Sequence, residues 1–171
     1  GIGDGISDFL DDTNAFVSYA GTKTNPTDGM QMLGSDTGKT GFSIYAGVNW
    51  PCQFIDDARL GVEYNHGSKY WRPFTYGEDT MAGSKLATRG NAYEAWFTKD
   101  LIGKTLSMQL RYTYMDYEYT GSDMFFGATG TPVKIDDIKA MSTAQAQQQG
   151  IDKSLVVDSA QDIRLYIRYR Y

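Results

Sequence analysis

Apolar and polar side chains alternate strictly along several stretches of the chain, most clearly in its last ten residues, DIRLYIRYRY. Successive side chains of an extended strand point to opposite faces of a sheet. One face of this predicted strand carries Ile163, Leu165, Ile167, Tyr169 and Tyr171. The other carries Asp162, Arg164, Tyr166, Arg168 and Arg170. A strand with one apolar and one charged face needs two different environments.

The same period of two predicts five earlier strands, so the chain is expected to be all-β. The six predicted strands are 14–22, 42–50, 58–65, 91–99, 105–115 and 162–171. Short connections alternate with long ones rich in Gly, Thr, Ser, Asp and Lys. The long segments are about 23–40, 68–89 and 120–158. This arrangement indicates an antiparallel up-and-down sheet with all long loops at one end.

One stretch of the longest connection has helix-forming composition. Residues 138–149 are good helix formers, two aspartates precede them, and Gly150 follows where a C-cap glycine belongs. The pattern predicts one short polar helix within the loop.

Composition excludes several classes of function. A net charge of -5, with 16 Lys and Arg, argues against a nucleic-acid binder, which needs a clustered basic face. The single cysteine rules out an internal disulfide and a cysteine-based zinc site. The 13 tyrosines and 19 glycines suit aromatic strands joined by polar loops.

Two settings give a sheet one dry and one wet face: a soluble sandwich or barrel, and a membrane barrel. Strands of nine to eleven residues, tilted near 45°, span roughly 21–26 Å, close to the apolar band of an outer membrane. Aromatic residues at the strand ends suit the two bilayer interfaces. The aromatic set is Trp50, Tyr64, Tyr70, Trp71, Tyr112, Tyr114, Tyr169 and Tyr171. The membrane setting is favoured, and a soluble antiparallel β-protein is the alternative.

The terminal strand resembles that of Gram-negative outer-membrane porins, which end in an aromatic residue, more often Phe than Tyr. The resemblance implies that Ile163, Leu165, Ile167, Tyr169 and Tyr171 form the signal read by the barrel-assembly machinery. It also implies an outer-membrane location, with the long loops extracellular and the C-terminus periplasmic. Membrane lipid, lipopolysaccharide and small solutes are the implied partners, and association into a homo-oligomer is left open.

The expected fold is therefore an antiparallel up-and-down transmembrane β-barrel. Bacterial single-chain barrels have at least eight strands, and six are visible. We therefore expect 1–171 to be a single region, the C-terminal six strands of a larger barrel. Residues 1–12 would be a periplasmic link from the preceding strand.

The charged face of the predicted strands would line the pore. The pore-lining candidates are Arg59, Glu63, Glu94, Arg111, Asp162, Arg164, Arg168 and Arg170. Five are positive and three negative, so the wall could favour anions, as charged rings do in other pores. The alternative is that these charges pair across neighbouring strands and only solvate the wall.

Candidates for catalysis and metal binding are few, and neither an enzyme nor a cofactor is expected. His66, the only histidine, could act only beside a nucleophile such as Ser68. The aspartate pairs at 11–12, 56–57 and 136–137 do not form a calcium-loop motif.

These observations predict a porin-like channel for passive diffusion of small solutes. One alternative is a structural or surface-interaction barrel without an open pore, its long loop binding a partner or plugging the lumen. A barrel enzyme using His66 is a further alternative.

Overall fold

The computed structural model describes residues 5–73, 83–121 and 130–171. Its strands form one sheet in which sequence neighbours pair antiparallel. They are β1 (Asn14–Lys23), β2 (Thr40–Pro51), β3 (Ala58–Gly67), β4 (Gly90–Ile102), β5 (Leu106–Tyr117) and β6 (Ser159–Tyr169). The predicted all-β, six-stranded, up-and-down sheet is confirmed. Within the described residues β1 and β6 each pair with one neighbour, so the sheet is open.

Several strands run further than the alternation predicts. β4 continues past Lys99 to Ile102, with an irregularity in its pairing between Asp100 and Ile102. β3 continues through His66 to Gly67. Backbone pairing does not require side-chain alternation, so a strand can extend beyond the residues that show the pattern.

The register places most of the apolar residues of the six strands on one face, called the apolar face. One ladder across this face is Ala15, Val48, Val62, Ala95, Tyr112 and Ile163. The opposite face is called the polar face. One of its ladders is Phe16, Gly47, Glu63, Glu94, Thr113 and Asp162.

The connections sort by length to the two ends of the sheet. The short ones, 52–57 and 103–105, lie at the turn end. The long ones, 24–39, 68–89 and 118–158, lie at the loop end. A four-residue helix, α1 (Asp8–Asp11), lies in the predicted link before β1, and its N-cap Ser7 accepts a hydrogen bond from Leu10 N. Residues 1–4 of that link are outside the described residues.

The predicted helix over 138–149 is wrong in detail, because two shorter helices occupy this region. They are α2 (Ile135–Ala140) and α3 (Thr143–Gln148). Met141 is extended, and Ser142 caps α3 in a reciprocal capping box with Gln145. Such a cap satisfies the orphan N–H groups of a new helix, so it favours a restart over a continuous helix. Gly150 follows the C-cap with φ +71°, as predicted.

Two segments from the loop end cover the upper part of the polar face. A 3₁₀-helix at Lys85–Ala87 contacts β3 and β4. Ile135 of α2 packs on Ala92, Met115 and Tyr117, all on the polar face. On β3, β4 and β5 the polar face is consequently buried at the loop end, whereas residues of the apolar face such as Tyr93 stay exposed.

Candidate functional site

Two rows of charge cross the polar face near the middle of the strands. The register aligns Glu63, Glu94 and Asp162 in one row, called the carboxylate row. Arg111 and Arg164 lie opposite each other one row nearer the turn end and form the arginine row. Like charges directly opposite each other destabilise a sheet, so each row depends on the other for compensation.

Lys85 supplies a cation that the strands lack. Its ammonium pairs with Glu63 and lies 2.7 Å from Glu94 Oε1, and its side chain is 8% exposed. Glu63 and Glu94 face each other across β3 and β4, and the Glu94 side chain is 1% exposed. A buried carboxylate is tolerable only when it is paired and hydrogen-bonded. Lys85 therefore fixes the 83–89 segment to the wall.

Further hydrogen bonds hold this contact in place. Asn65 Nδ2 donates to the backbone oxygen of Lys85 at 2.9 Å, and Ser43 Oγ donates to Asn65 Oδ1 at 2.8 Å. Tyr45 donates its hydroxyl to Glu63. Trp71 Nε1 donates to Leu86 O at 2.7 Å. The 3₁₀-helix is thus anchored through side chain and backbone together.

Glu94 has partners on β5 as well. Arg111 Nη1 lies 3.0 Å from Glu94 Oε1, and Thr113 Oγ1 donates to Glu94 Oε2 at 2.8 Å. The Arg111 guanidinium also lies 5.5 Å from the Trp96 ring. Trp96 in turn lies over Gly61, where an added Cβ would come within 2.2 Å of the ring. A glycine at position 61 therefore makes room for the indole beneath the arginine.

On β6 the arginine row is paired within its own strand. Arg164 binds the Asp162 carboxylate and donates from Nη1 to the Tyr166 hydroxyl at 3.1 Å. Both charged side chains are about one-fifth exposed, at 22% and 23%. The charge of Arg164 is therefore compensated locally.

The arginines nearer the turn end lack carboxylate partners among the described residues. Arg59 donates to Asn49 Oδ1 at 2.8 Å and to the backbone oxygen of Asp12. Arg168 is exposed on β6, and Arg170 follows that strand directly, donating its backbone N–H to Thr105 O at 2.7 Å. We call Arg59, Arg168 and Arg170 the turn-side arginines. Asp100 is the acidic residue on this part of the polar face.

Arg89 joins the loop segments above the polar face. It is 1% exposed, and its Nε donates to Trp71 O at 2.9 Å while Nη1 donates to Thr120 O at 2.8 Å. Burial, and secondarily the nearby Arg72 charge, lowers the pKa of Arg89 to about 10. Arg89 thereby links the 68–89 and 118–158 segments. Trp71 is buried here at 6% exposure, so its predicted place among interface aromatics is wrong.

The apolar face is open along its length. Many of its large side chains are 36–78% exposed, among them Val17, Phe42, Val62, Tyr93, Leu110 and Ile167, and others, such as Trp50 and Phe97, are half-buried. Tyr64, Tyr93 and Tyr114 form one row, with ring centroids 5.3 and 6.4 Å apart. The proposed assembly residues lie on this same face or just beyond it, and all are exposed: Ile163, Leu165, Ile167, Tyr169 and Tyr171.

His66 does not meet the predicted nucleophile. It lies on the apolar face, where Nδ1 is 3.1 Å from Asn91 Oδ1 and its ring is 6.1 Å from that of Phe42. Ser68 Oγ instead accepts a hydrogen bond from Phe42 N at 2.9 Å. The predicted pair is therefore not assembled, and His66 is bound to an amide.

In residues 5–73, 83–121 and 130–171, no three His, Cys, Asp or Glu side chains come together as a metal site. No helix in those ranges has the length and apolar character needed to cross a membrane.

Of the eight pore-lining candidates, the structure brings Glu63, Glu94 and Arg111 into one network with Lys85. Sequence reasoning missed Lys85, since a lysine in a loop rich in small and polar residues carries no periodic signal. The facing pair Glu63 and Glu94, readable only once the register is known, is the signal that a cation is required.

The chain has no significant match among curated proteins or solved structures. A family model matches residues 1–171, the whole chain. The chain therefore belongs to the family described as "Protein of unknown function (DUF3373)".

Proposed function

We propose that this sheet is part of the wall of an outer-membrane β-barrel, and that the barrel is a porin-like channel for passive diffusion of small solutes, biased toward anions. The observation that carries the proposal is the inverted burial of the sheet. Polar residues such as Ser43, Asn65 and Thr113 are at most 4% exposed, whereas the apolar face is open.

The free-energy cost of exposing apolar side chains to water favours lipid as the environment of the apolar face. Removing one large apolar side chain from water stabilises a protein by about 1.5–3 kcal/mol. Soluble monomers seldom expose contiguous apolar patches as long as a six-stranded sheet. A bilayer would remove this whole face from water while leaving the polar face on the lumen side.

The height of the apolar face also suits a membrane. On β5, eight residues separate Tyr114, which belongs to the row of Tyr64 and Tyr93, from the level of Tyr169. This separation corresponds to about 26 Å along the strand. A tilt of 35–45° reduces this to about 20 Å, near the apolar band of an outer membrane. Lys99 lies near the lower edge, and its ammonium reaches Asp56 O at 2.5 Å in the turn.

The open edges β1 and β6 require partner strands in lipid, since unpaired backbone groups are costly there. Further strands of a longer barrel, as expected from the strand count, would complete the pairing. The terminal residue Tyr171 would then lie on the periplasmic side, with the loop end outside.

The anion bias rests on the turn-side arginines. Arg59, Arg168 and Arg170 have no carboxylate partner in the described part of the chain, and Asp100 is the acidic residue near them. Paired charges such as Arg164 and Asp162 present little net field. An excess of uncompensated cations on a pore wall raises the local concentration of anions.

A second candidate is a barrel without an open pore. The 83–89 segment and α2 already cover the loop half of the polar face on β3, β4 and β5. If the remaining wall is covered likewise, the loops would fill the lumen and the protein would serve as a structural or interaction barrel.

Tryptophan quenching by brominated phospholipids tests the membrane assignment. Trp50 lies on the apolar face, and Trp96 lies on the polar face. In the full-length protein, Trp50→Phe should lower the fluorescence intensity that the brominated lipids quench, and Trp96→Phe should leave that quenched intensity unchanged. Equal effects of the two substitutions would contradict a lipid-facing apolar face.

Conductance in planar bilayers tests the channel assignment. The full-length protein should give discrete steps, and a salt gradient should give a reversal potential of the sign for chloride preference. Absence of steps from protein that passes the quenching test would favour the closed barrel.

A further inference from the structure

Three lysines lie near one another at the loop end, two of them over the ring of Tyr70. Lys39 Nζ lies 6.0 Å and Lys69 Nζ 5.4 Å from the Tyr70 centroid. Lys69 Nζ is also 5.8 Å from the Tyr119 ring. Lys23, the last residue of β1, pairs with Thr40 and thus adjoins Lys39. Separate connections therefore bring positive charge to one place.

These lysines lack carboxylate partners. Among described residues, no ion pair involves Lys23, Lys39 or Lys69. Lys39 and Lys69 are also half-buried, which removes part of their hydration. A nearby aromatic ring stabilises each cation weakly without cancelling its charge. Partly dehydrated like charges favour an anion in their midst.

A cavity of about 280 Å³ lies between the 24–39 segment and residues 70–72; Lys23 and Tyr70 line it, and Lys39 and Lys69 lie next to it against the Tyr70 ring. Its lining includes Thr22, Lys23, Met32, Leu33, Tyr70 and Arg72. Thr22 Oγ1 is buried in the described structure and makes no hydrogen bond there. An unused hydroxyl beside cations provides a donor for an oxyanion, because burying it without a partner is unfavourable.

We propose that this cavity binds a phosphate-bearing anion, with Lys23, Lys39 and Lys69 as the cations and the Thr22 hydroxyl as a donor. Lysine binds phosphate as a point charge. Met32, Leu33 and the Tyr70 ring offer apolar contact to an organic part of the ligand. The phosphate belongs either to a lipid headgroup at the membrane surface or to a soluble compound.

The site goes beyond the proposed channel and does not require an open pore. The lysines belong to the loop end, and none takes part in the pairing of Glu63, Glu94 and Arg111 on the wall. Loss of anion binding and loss of conductance are therefore separate outcomes.

Binding of two probes to the full-length protein tests the proposal. Inorganic pyrophosphate is titrated calorimetrically against protein in detergent. Phosphatidylglycerol is tested by the thermal unfolding midpoint in phosphatidylcholine bicelles with and without it. The variant is Lys39→Gln with Lys69→Gln, and the charge-matched control is Lys104→Gln with Lys134→Gln.

Pyrophosphate affinity at least 10-fold weaker in the variant than in the control would support a soluble ligand. A midpoint raised by phosphatidylglycerol in wild type and control, but not in the variant, would support a lipid headgroup. Thr22→Val guards against misfolding, since it removes the donor at nearly constant volume, and it should weaken binding of the active probe several-fold. Failure of both probes to bind wild type, or equal binding by all variants, would overturn the proposal.

Discussion

The loop half and the turn half of the polar face differ in how their charges are treated. In the loop half, Glu63 and Glu94 are covered by the 83–89 segment and share Lys85. In the turn half, Arg59 and Arg168 lie on the same face without a carboxylate partner in the described chain. One half uses its charges to hold structure, and in the proposed channel the other would leave them available to solutes. Substitutions in the two halves should therefore change different properties.

The largest effect is expected from Lys85→Met, which leaves two facing carboxylates without their shared cation. Removing one partner of a buried ion pair typically costs about 3–5 kcal/mol, because the other charge stays buried and uncompensated. The thermal or denaturant unfolding of the folded protein would measure this loss. Lys104→Met, in the exposed β4–β5 turn, is the control.

A second substitution separates charge from packing in that result. In Lys85→Met with Glu63→Gln, one of the two negative charges is gone while Glu94 keeps Arg111. The double variant should recover part of the lost stability. Equal stability of Lys85→Met and Lys104→Met would remove the distinction between the two halves.

An intermediate effect is expected in the turn half, on selectivity and not on stability. Arg168→Gln with Arg170→Gln should lower the chloride-to-potassium permeability ratio. A unit charge about 8 Å from an ion changes its energy in water by about 0.5 kcal/mol, or roughly twofold per arginine. Reversal potentials under a salt gradient provide the measurement.

Arg164→Gln is the matched comparison, because the charge of this arginine is compensated by Asp162 on the same strand. Removing Arg164 leaves the Asp162 carboxylate without its cation. The anion preference should therefore fall as well, and less of the protein should assemble. The turn-side pair should change selectivity while unfolding as wild type does. Unchanged reversal potentials in the Arg168 and Arg170 variant would show these arginines to be structural.

The smallest effect concerns an exposed pair at the loop end. Lys139 Nζ lies 2.6 Å from Asp158 Oδ2 and links α2 to the residue before β6. The hydrogen bond from Lys139 holds the pKa of Asp158 below its usual value, and the same bond raises the pKa of Lys139. The stabilisation is therefore complete above about pH 4 and is lost as pH falls through the folded-state pKa of Asp158.

Amide hydrogen exchange in α2 can detect this link. Asp158→Asn should speed exchange slightly at pH 7, and the difference from wild type should disappear as pH falls through the folded-state pKa of Asp158, because position 158 is then neutral in both proteins. Asp36→Asn is the control. A difference that persists below that pKa would mean that the carboxylate charge is not the cause.

Alternation predicted the strands well because a sheet between two environments imposes it at every second residue. The same alternation predicted the face on which each charged residue lies, so Glu94 and Arg164 were assigned to the correct face. Lys85 and Arg89 could not be found this way, since loop residues are positioned by tertiary contacts that leave no period. The break between α2 and α3 was readable, because Ser142 and Gln145 form a capping-box spacing.

The bridge made by Lys85 also bears on how the proposed barrel would be built. Its two carboxylates are 22 and 9 residues away in sequence, so all three charges belong to the single hairpin of β3 and β4. That hairpin therefore contains the cation, Lys85, that pairs with its two carboxylates. Arg111 on the next strand compensates the one negative charge that remains. Growth of the sheet strand by strand would therefore neutralise each buried acid soon after it forms, which reduces the electrostatic barrier to insertion.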